Sequence, residues 1–106
     1  MTDHQVIERY FDLAADPDLE AYAGQFTDDV VVEDEGRTHT GIDAVRTWHT
    51  SVPPVTYAVR DVAPTADGYR AVVEIAGDFP GSPVDLAFAF VLDDGRIRRL
   101  TIRPAE

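Results

Sequence analysis

The chain contains no cysteine among its 106 residues. This absence excludes disulfides, thiolate nucleophiles and the common cysteine-based zinc sites. No apolar run approaches the length of a membrane span, and no basic region followed by a hydrophobic stretch stands at the N-terminus. We therefore predict a cytoplasmic protein without a signal peptide. The length predicts one domain, residues 1–106.

Several motifs of catalysis and cofactor binding are also missing. There is no glycine-rich phosphate loop and no GxSxG, and Ser51 and Ser82 lie in turn-like contexts. The histidines, His4, His39 and His49, show neither HxH nor HExxH spacing. Nucleophilic catalysis therefore has no candidate residue, and we predict neither a metal nor a cofactor.

Positive charge is scarce. Lysine and arginine together number 9 against 20 aspartate and glutamate residues, for a net charge of −11. Such a surface repels phosphate backbones and anionic lipids, so we expect neither nucleic acid nor a membrane as a partner. The acidity also has a simpler interpretation, since net charge keeps a protein soluble whatever its function.

Helical spacing of apolar residues predicts three helices in the first half of the chain. Thr2 or Asp3 can cap the first. Asp16 as N-cap and Pro17 at the first helical position open the second, whose apolar face carries Leu19, Tyr22, Ala23 and Phe26. Thr40 can cap the third, which carries Ile42, Val45 and His49 and ends before Pro53.

Strands account for the rest of the chain. Apolar alternation and turn residues predict them at 30–34, 37–40, 55–62, 69–76, 84–92 and 96–103. Helices first, with a strand pair among them, then four antiparallel strands, predict an α+β fold with the helices packed on one face of the sheet.

The first of these strands ends in a carboxylate. Side chains alternate along a strand, so Val30, Val32 and Asp34 share one face. If that face is the inner one, Asp34 points into the protein, where an apolar surrounding disfavours the charged form and makes a carboxylate a better proton acceptor. Asp34 is then a candidate general base. The alternative is a solvated acid at a strand end.

Two helical residues are candidate partners for this acid. Tyr10 lies near the centre of the first helix's apolar stripe, so its buried hydroxyl needs a hydrogen bond. That bond goes either to a backbone carbonyl or to a ligand in a dry pocket. His49 on the third helix is either a satisfied core residue or a catalyst. Trp48, about 100° away on the same helix, either lines a cavity or packs in the core.

The strand at 84–92 has two distinct faces. Leu86, Phe88 and Phe90 form an apolar face suited to a ligand, whereas the opposite face carries Asp85, Ala87 and Ala89. The second face is small enough to pack flat against a second copy of the chain, so we predict a homodimer through the sheet.

Taken together, these elements resemble the nuclear transport factor 2-like superfamily, which includes SnoaL-like polyketide cyclases and ketosteroid isomerase. The most specific segments are VIERY at 6–10, FTDDV at 26–30, VED at 32–34 and GIDAV at 41–45. The resemblance implies a cone-shaped, barrel-like curved antiparallel sheet with three N-terminal helices on its concave face. It also implies a small hydrophobic ligand, for which Phe26, Trp48, Leu86, Phe88 and Phe90 are the candidate contacts.

Ketosteroid isomerase is the member that the chain resembles most. The resemblance implies that Asp34 takes a proton next to a ketone and that Tyr10 donates a hydrogen bond to the resulting oxyanion. The family's second oxyanion donor, a protonated aspartic acid, falls on Phe88, with Phe90 as the nearest alternative, and neither can donate. The tyrosine that supports the oxyanion tyrosine falls on His49, which can still bond to Tyr10.

The sequence thus predicts an isomerase that moves a proton next to a ketone of a steroid- or polyketide-like substrate, with Asp34, Tyr10 and His49 as catalytic residues. The alternatives are a non-catalytic module that binds an apolar ligand in the same fold and a SnoaL-like polyketide cyclase. Epoxide hydrolysis would need an Asp-Arg-Asp set. Arg37, Arg46 and Arg60 are available, but no second inward aspartate is evident.

Overall fold

The computed structural model describes residues 2–16 and 18–105. Within them the chain forms three helices, α1 (Asp3–Ala14), α2 (Leu19–Ala23) and α3 (Ile42–Ser51). It also forms six strands, β1 (Phe26–Asp34), β2 (Arg37–Thr40), β3 (Val55–Pro64), β4 (Tyr69–Gly77), β5 (Val84–Asp93) and β6 (Arg96–Pro104). This is the predicted α+β order of elements.

Helix α1 begins with a capping box. The Thr2 hydroxyl accepts the backbone N–H of Gln5 at 3.2 Å, and the Gln5 side chain accepts that of Thr2 at 2.8 Å. The apolar stripe that follows is buried at Val6, Ile7, Tyr10 and Phe11. The helix thus presents to the sheet the face that its spacing predicts.

The start of helix α2 differs from the prediction. Its N-cap is Asp18, whose carboxylate accepts the N–H of Ala21 at 3.1 Å, and not Asp16. The Asp16 carboxylate instead accepts the N–H of Asp18 at 2.8 Å, which makes it part of the turn that precedes the helix. Pro17, the predicted first helical residue, lies outside the described residues.

The predicted cap of helix α3 was also wrong. Thr40 belongs to β2, where it pairs with Val31, and Gly41 takes the N-cap position without a side-chain hydrogen bond. The Gly41 N–H donates to the Val30 carbonyl at 2.8 Å, and its φ of 88° suits glycine. The sheet therefore determines where this helix begins.

Strand β1 begins at Phe26, earlier than predicted. Helix α2 ends at Ala23, and Phe26 pairs with Ile97 of β6, so Phe26 belongs to the sheet and not to the helix. The polar residues 27–29 lie within the strand, at a register irregularity between Phe26 and Val31. Pairing with β6 thus outweighs the turn preference of the two aspartates.

The six strands form one curved, open sheet in the order β2-β1-β6-β5-β4-β3. Neighbouring strands are antiparallel, as predicted, except for β1 and β6, which run parallel. The parallel pair places the β1–β2 hairpin beside β6, the last strand of the chain. The end of β1 therefore belongs to the same sheet that α2 and α3 cover.

The helices cover the concave face of this sheet, as the resemblance implies. The Tyr10 ring lies 6.2 Å from that of Phe88 and 5.4 Å from that of Phe90, measured between centroids. Phe11 contacts the same two rings at 5.1 and 6.0 Å. Among the described residues, no helix combines the length and the apolar character needed to cross a bilayer.

Candidate active site

Asp34 lies at the end of β1 with its side chain directed into the protein. Val30 and Val32, on the same face of the strand, have exposed fractions of 0%. Asp34 itself is half-buried. The tight turn at 35–36, where both φ angles are positive, places Arg37 directly opposite Asp34 in the β1–β2 hairpin. The strand alternation thus brings the acid to the rim of the core.

Trp48 holds this carboxylate in place. Its indole N–H donates to Oδ2 of Asp34 at 3.1 Å. Trp48 and Val45, three residues apart, form the buried face of α3. The sequence interpretation placed His49 with Val45 on that face, but Trp48 is the more buried of the two aromatic residues.

His49 packs against helix α2. Its ring stacks on that of Tyr22, with 3.7 Å between centroids and 11° between planes. Burial lowers the pKa of His49. The imidazole is therefore neutral near neutral pH, and its contact with Tyr22 is face to face.

The partner of Tyr10 is Tyr22. The two hydroxyl oxygens lie 3.0 Å apart in the buried core. The sequence leaves a backbone carbonyl or a ligand open for this bond, and the resemblance implies His49. Burial, followed by the effect of the other tyrosine, raises the pKa of Tyr10 well above its ordinary value of 10.0, and burial also raises that of Tyr22. Both phenols therefore stay protonated throughout the neutral range.

The hydrogen bond between these two hydroxyls can run from Tyr22 to Tyr10. Each phenol carries a single O–H donor. When Tyr22 donates to Tyr10, the proton of Tyr10 is free for a group in the cavity, because Tyr10 lines that cavity. Tyr22 can thus hold Tyr10 as a neutral donor.

Asp34, Trp48, His49 and Tyr10 line one cavity of about 410 Å³. Its polar part is formed by Asp34, Glu35, Arg37, His39 and His49, together with the hydroxyl-bearing Tyr10, Ser51 and Tyr57. Its apolar part comes from α3, the sheet and the β4–β5 connection, chiefly Trp48, Val55, Ile75, Phe79, Val84, Leu86, Phe88 and Ile102. A largely apolar cleft with a few convergent polar groups is typical of a small-molecule site.

The cavity brings together most of the predicted site residues. Asp34, Tyr10, His49, Trp48, Leu86 and Phe88 all line it. Phe26 and Phe90 do not. Both are 1% exposed, and each contacts the Tyr10 ring from within the core, at 6.3 and 5.4 Å. These two rings therefore pack against Tyr10 from within the core and do not line this cavity.

Sequence reasoning missed two tyrosines of the site. The sequence pattern places Tyr22 only on the apolar face of its helix and gives Tyr57 no role in the site. The alternation of Val55 and Tyr57 along β3 was a usable signal, because it puts both on the face that lines the cavity. For Tyr22 the sequence carried no such signal, since the packing of the five-residue helix α2 is decided by tertiary contacts.

A family model supplies the identification. The model of the SnoaL-like domain matches residues 7–100. The chain belongs to the SnoaL-like family. No curated protein matches this SnoaL-like domain.

Solved structures agree on the fold. A proposed polyketide cyclase from Sinorhizobium meliloti is 31% identical, with 97% of this chain and 100% of that chain covered and a TM-score of 0.88. A protein from Catenulispora acidiphila with a ketosteroid isomerase-like fold is 16% identical, with 98% and 88% covered and a TM-score of 0.84. The epoxide hydrolase/cyclase-like enzyme SalBIII, from polyether salinomycin formation, is 18% identical, with 97% and 90% covered and a TM-score of 0.83. The SnoaL-like domain therefore has the nuclear transport factor 2-like fold that the resemblance implied.

The three arginines considered for epoxide hydrolysis lie in different places in the SnoaL-like domain. Arg37 lines the cavity. Arg46 pairs with Glu20 and Asp43 at 3.0 and 2.8 Å. Arg60 pairs with Glu74 at 2.9 Å and with Asp85 at 3.4 Å. Asp34 is the one aspartate among the described residues that line this cavity, and the described part of the chain groups no set of three potential metal ligands.

The tyrosines give the SnoaL-like domain a specific alkaline instability. The chain has neither lysine nor cysteine, so tyrosines are the side chains that titrate around pH 10. The folded-state pKa values of Tyr10 and Tyr22 are raised, so their contribution is complete below about pH 10 and is lost as the pH rises further. We expect the free energy of unfolding to fall by about 1.4 kcal/mol per pH unit for each tyrosine.

Urea denaturation followed by circular dichroism at a series of pH values measures this loss. The variant Tyr10→Phe removes one of the two groups, so its stability should fall less steeply above pH 10. A free energy of unfolding that stays level from about pH 9 to about pH 11 would show that the two phenols are not buried as described.

Proposed function

We propose that this SnoaL-like domain binds a small hydrophobic ketone and moves a proton on the carbon next to the carbonyl, with Asp34 as general base and Tyr10 as oxyanion donor. One observation carries the proposal: Asp34 and Tyr10 line the same largely apolar cavity. The substrate class is a steroid- or polyketide-like ketone, as the family resemblance suggests.

Each group has the chemistry for its part. Asp34 takes the proton from the carbon, the electron pair moves into the carbonyl, and the negative charge develops on oxygen. Tyr10 donates a hydrogen bond to that oxygen, and Tyr22 satisfies the Tyr10 oxygen in turn. Asp34 then returns the proton at the same or a neighbouring carbon. Trp48 keeps the carboxylate oriented through its bond to Oδ2.

Polyketide cyclisation is the closest variant of this reaction. An aldol cyclisation starts with the same deprotonation, after which the enolate carbon attacks a second carbonyl of the same substrate, the π electrons of that carbonyl move to its oxygen, and the resulting alkoxide takes back the proton held by Asp34. The structural relative that is 31% identical is a proposed polyketide cyclase. Neither reaction requires a nucleophilic side chain or a metal, because a general base and an oxyanion donor suffice for both.

Hydrogen–deuterium exchange tests the proposal before a natural substrate is known. β-Tetralone and a β,γ-unsaturated ketosteroid both carry acidic protons next to a ketone. The first represents a small substrate and the second a large one. The protein is expected to accelerate deuterium uptake at that carbon in deuterium oxide, measured by mass spectrometry. Uptake at the uncatalysed rate for ketones that demonstrably bind would refute the proposal.

A second candidate function is binding without catalysis. The observation that favours it is the apolar β5 wall, where Leu86 and Phe88 line the cavity and no acid stands at the position of the second oxyanion donor. A binding module would bind ketones and matching hydrocarbons equally well and would exchange no protons. The exchange experiment therefore separates the two functions.

We also propose that the domain forms a homodimer through the convex face of its sheet. Ala87 and Ala89 of β5 stand on this face between two ion pairs, Arg60–Glu74 of β3 and β4 on one side and Glu33–Arg99 of β1 and β6 on the other. Ala89 is exposed. Small central residues ringed by charged pairs allow two sheets to approach closely.

Light scattering after size-exclusion chromatography tests the dimer. At micromolar concentration the mass is expected to be twice 11.7 kDa. The variant Ala89→Arg places a bulky charge at the centre of the face and should give the monomer, whereas Thr50→Arg, on the exposed side of α3, should leave the dimer intact. A monomeric wild type, or equal effects of the two variants, would contradict this interface.

A further inference from the structure

The resemblance to ketosteroid isomerase implies a second oxyanion donor at the position of Phe88. Phe88 stands there, lines the cavity, and has no group that can donate a hydrogen bond. An enolate oxygen has room for two donors, and preorganised donors are a major source of stabilisation for such a charge. The other donors of the cavity wall are therefore of interest.

Several of these donors are already in use. The indole N–H of Trp48 donates to Asp34, and the Ser51 hydroxyl donates to the Trp48 carbonyl at 2.6 Å. His49 lies flat against Tyr22 on the α2 side of the cavity. Arg37 belongs to the turn end of the β1–β2 hairpin and is exposed. Trp48 and Ser51 are thus committed to other groups, Arg37 is exposed, and none of the four offers an uncommitted hydroxyl.

Tyr57 does offer one. Its hydroxyl has no hydrogen-bond partner within residues 2–16 and 18–105, whereas the other tyrosine hydroxyls are all bonded there: Tyr10 to Tyr22, and Tyr69 to Asp3 at 2.9 Å. Tyr57 is half-buried and lines the same cavity as Tyr10 and Asp34. A phenol in such a wall directs its single proton to whatever occupies the cavity.

The rings of Tyr57 and Phe88 both contact Phe11. Its centroid lies 5.7 Å from that of Phe11, and the Phe11 centroid lies 5.1 Å from that of Phe88. Tyr10 contacts both Phe11 and Phe88, at 5.0 and 6.2 Å. Tyr57, Phe11, Phe88 and Tyr10 thus form one aromatic cluster, with a phenol hydroxyl at each of two places in the same wall.

We propose that Tyr57 is a second oxyanion donor of this site, supplied by β3 in place of the donor that Phe88 cannot provide. The inference rests on the proposed enolising function and deepens it. The ligand it implies is a ketone whose oxygen becomes an enolate, or a phenol that mimics that enolate, bonded by Tyr10 and Tyr57 together.

The protonation state of Tyr57 agrees with this role. Burial, and then the nearby Asp34 carboxylate, raises the pKa of Tyr57 above its ordinary value of 10.0. The phenol is therefore neutral near neutral pH and able to donate. The same carboxylate also contributes to the raised pKa of Tyr10, so the charge of the proposed general base acts on both phenols.

Binding of a matched ligand pair tests the donor directly. Para-chlorophenol carries the oxygen, and para-chlorotoluene has almost the same shape without it. The chain has one tryptophan, Trp48, which lines the cavity, so its single indole N–H resonance reports binding by NMR. In Tyr57→Phe we expect about a 10-fold or greater loss of affinity for para-chlorophenol and no change for para-chlorotoluene.

The matched control is Tyr69→Phe, which removes a hydroxyl that bonds to Asp3 away from the cavity and should alter neither affinity. Equal weakening of both ligands in Tyr57→Phe would assign Tyr57 to packing and overturn the proposal. Unchanged binding of para-chlorophenol would overturn it as well.

Exchange kinetics separate this inference from the proposed function. With β-tetralone as substrate, Tyr57→Phe is expected to lower kcat about 100-fold with a smaller effect on KM. If Asp34→Asn abolishes exchange while Tyr57→Phe leaves it unchanged, the proposed function stands and the donor assignment falls. If Asp34→Asn itself leaves exchange unchanged, the proposed function is refuted, whatever the effect of Tyr57→Phe.

Discussion

Replacing Asp34 with asparagine is expected to lower proton exchange next to the ketone by about 100- to 10,000-fold, the range that a positioned general base contributes. Asparagine has nearly the same shape as aspartate but cannot accept the proton. Its amide oxygen can still accept the Trp48 N–H that now bonds to Oδ2. The variant should therefore fold and bind a ketone normally, and only the rate should fall.

The neighbouring acid on the same strand provides the control. Glu33 alternates with Asp34, lies on the opposite face of β1 and pairs with Arg99. Glu33→Gln removes one negative charge, as Asp34→Asn does, but leaves the cavity untouched. Mass spectrometry of deuterium uptake should show loss in Asp34→Asn alone. Similar rates in the two variants would mean that Asp34 contributes only charge.

Replacing Tyr10 with phenylalanine is expected to reduce kcat by about 100- to 1,000-fold, the effect of removing one oxyanion donor in other enzymes. The phenyl ring keeps its contacts with Phe26, Phe88 and Phe90. The buried Tyr22 hydroxyl, however, loses its partner. That unpaired group should cost about 1–3 kcal/mol of folding free energy, measurable by urea denaturation.

Tyr22→Phe separates donation from positioning. It leaves the Tyr10 proton in the cavity but removes the group that orients it. We expect a smaller loss of kcat than in Tyr10→Phe, and little further loss when the two changes are combined, because both act through one hydroxyl. A loss in Tyr10→Phe of less than about 10-fold would exclude Tyr10 as an oxyanion donor.

The fold was predictable because its local signals agree with one another. The apolar stripe of α1, the turn at 94–95 and the alternation along β5 each indicate the element that forms there. The errors lie where sheet pairing outweighs local preference. Thr40 has the chemistry of a helix cap, yet it pairs with Val31, and Phe26 continues a helical pattern, yet it pairs with Ile97.

The placement of Asp34 follows from the alternation of side chains along a strand, which can be read from a single sequence. The hydrogen bonds of the site do not follow from it. Tyr22 replaces His49 as the partner of Tyr10 because α2, a helix of five residues, packs against α3 so that His49 meets the Tyr22 ring and not its hydroxyl. A shift of one residue in helical phase, about 100°, likewise decides that Trp48 and not His49 faces Asp34.

Deuterium uptake by β-tetralone in the presence of the wild-type domain tests the central claim most directly. The domain is predicted to accelerate uptake next to the carbonyl in a saturable manner, with para-chlorophenol as a competitive inhibitor and Asp34→Asn as the inactive reference. Wild-type uptake no faster than with Asp34→Asn, for this and every other ketone that shifts the Trp48 resonance, would contradict the claim that this cavity is an enolising active site.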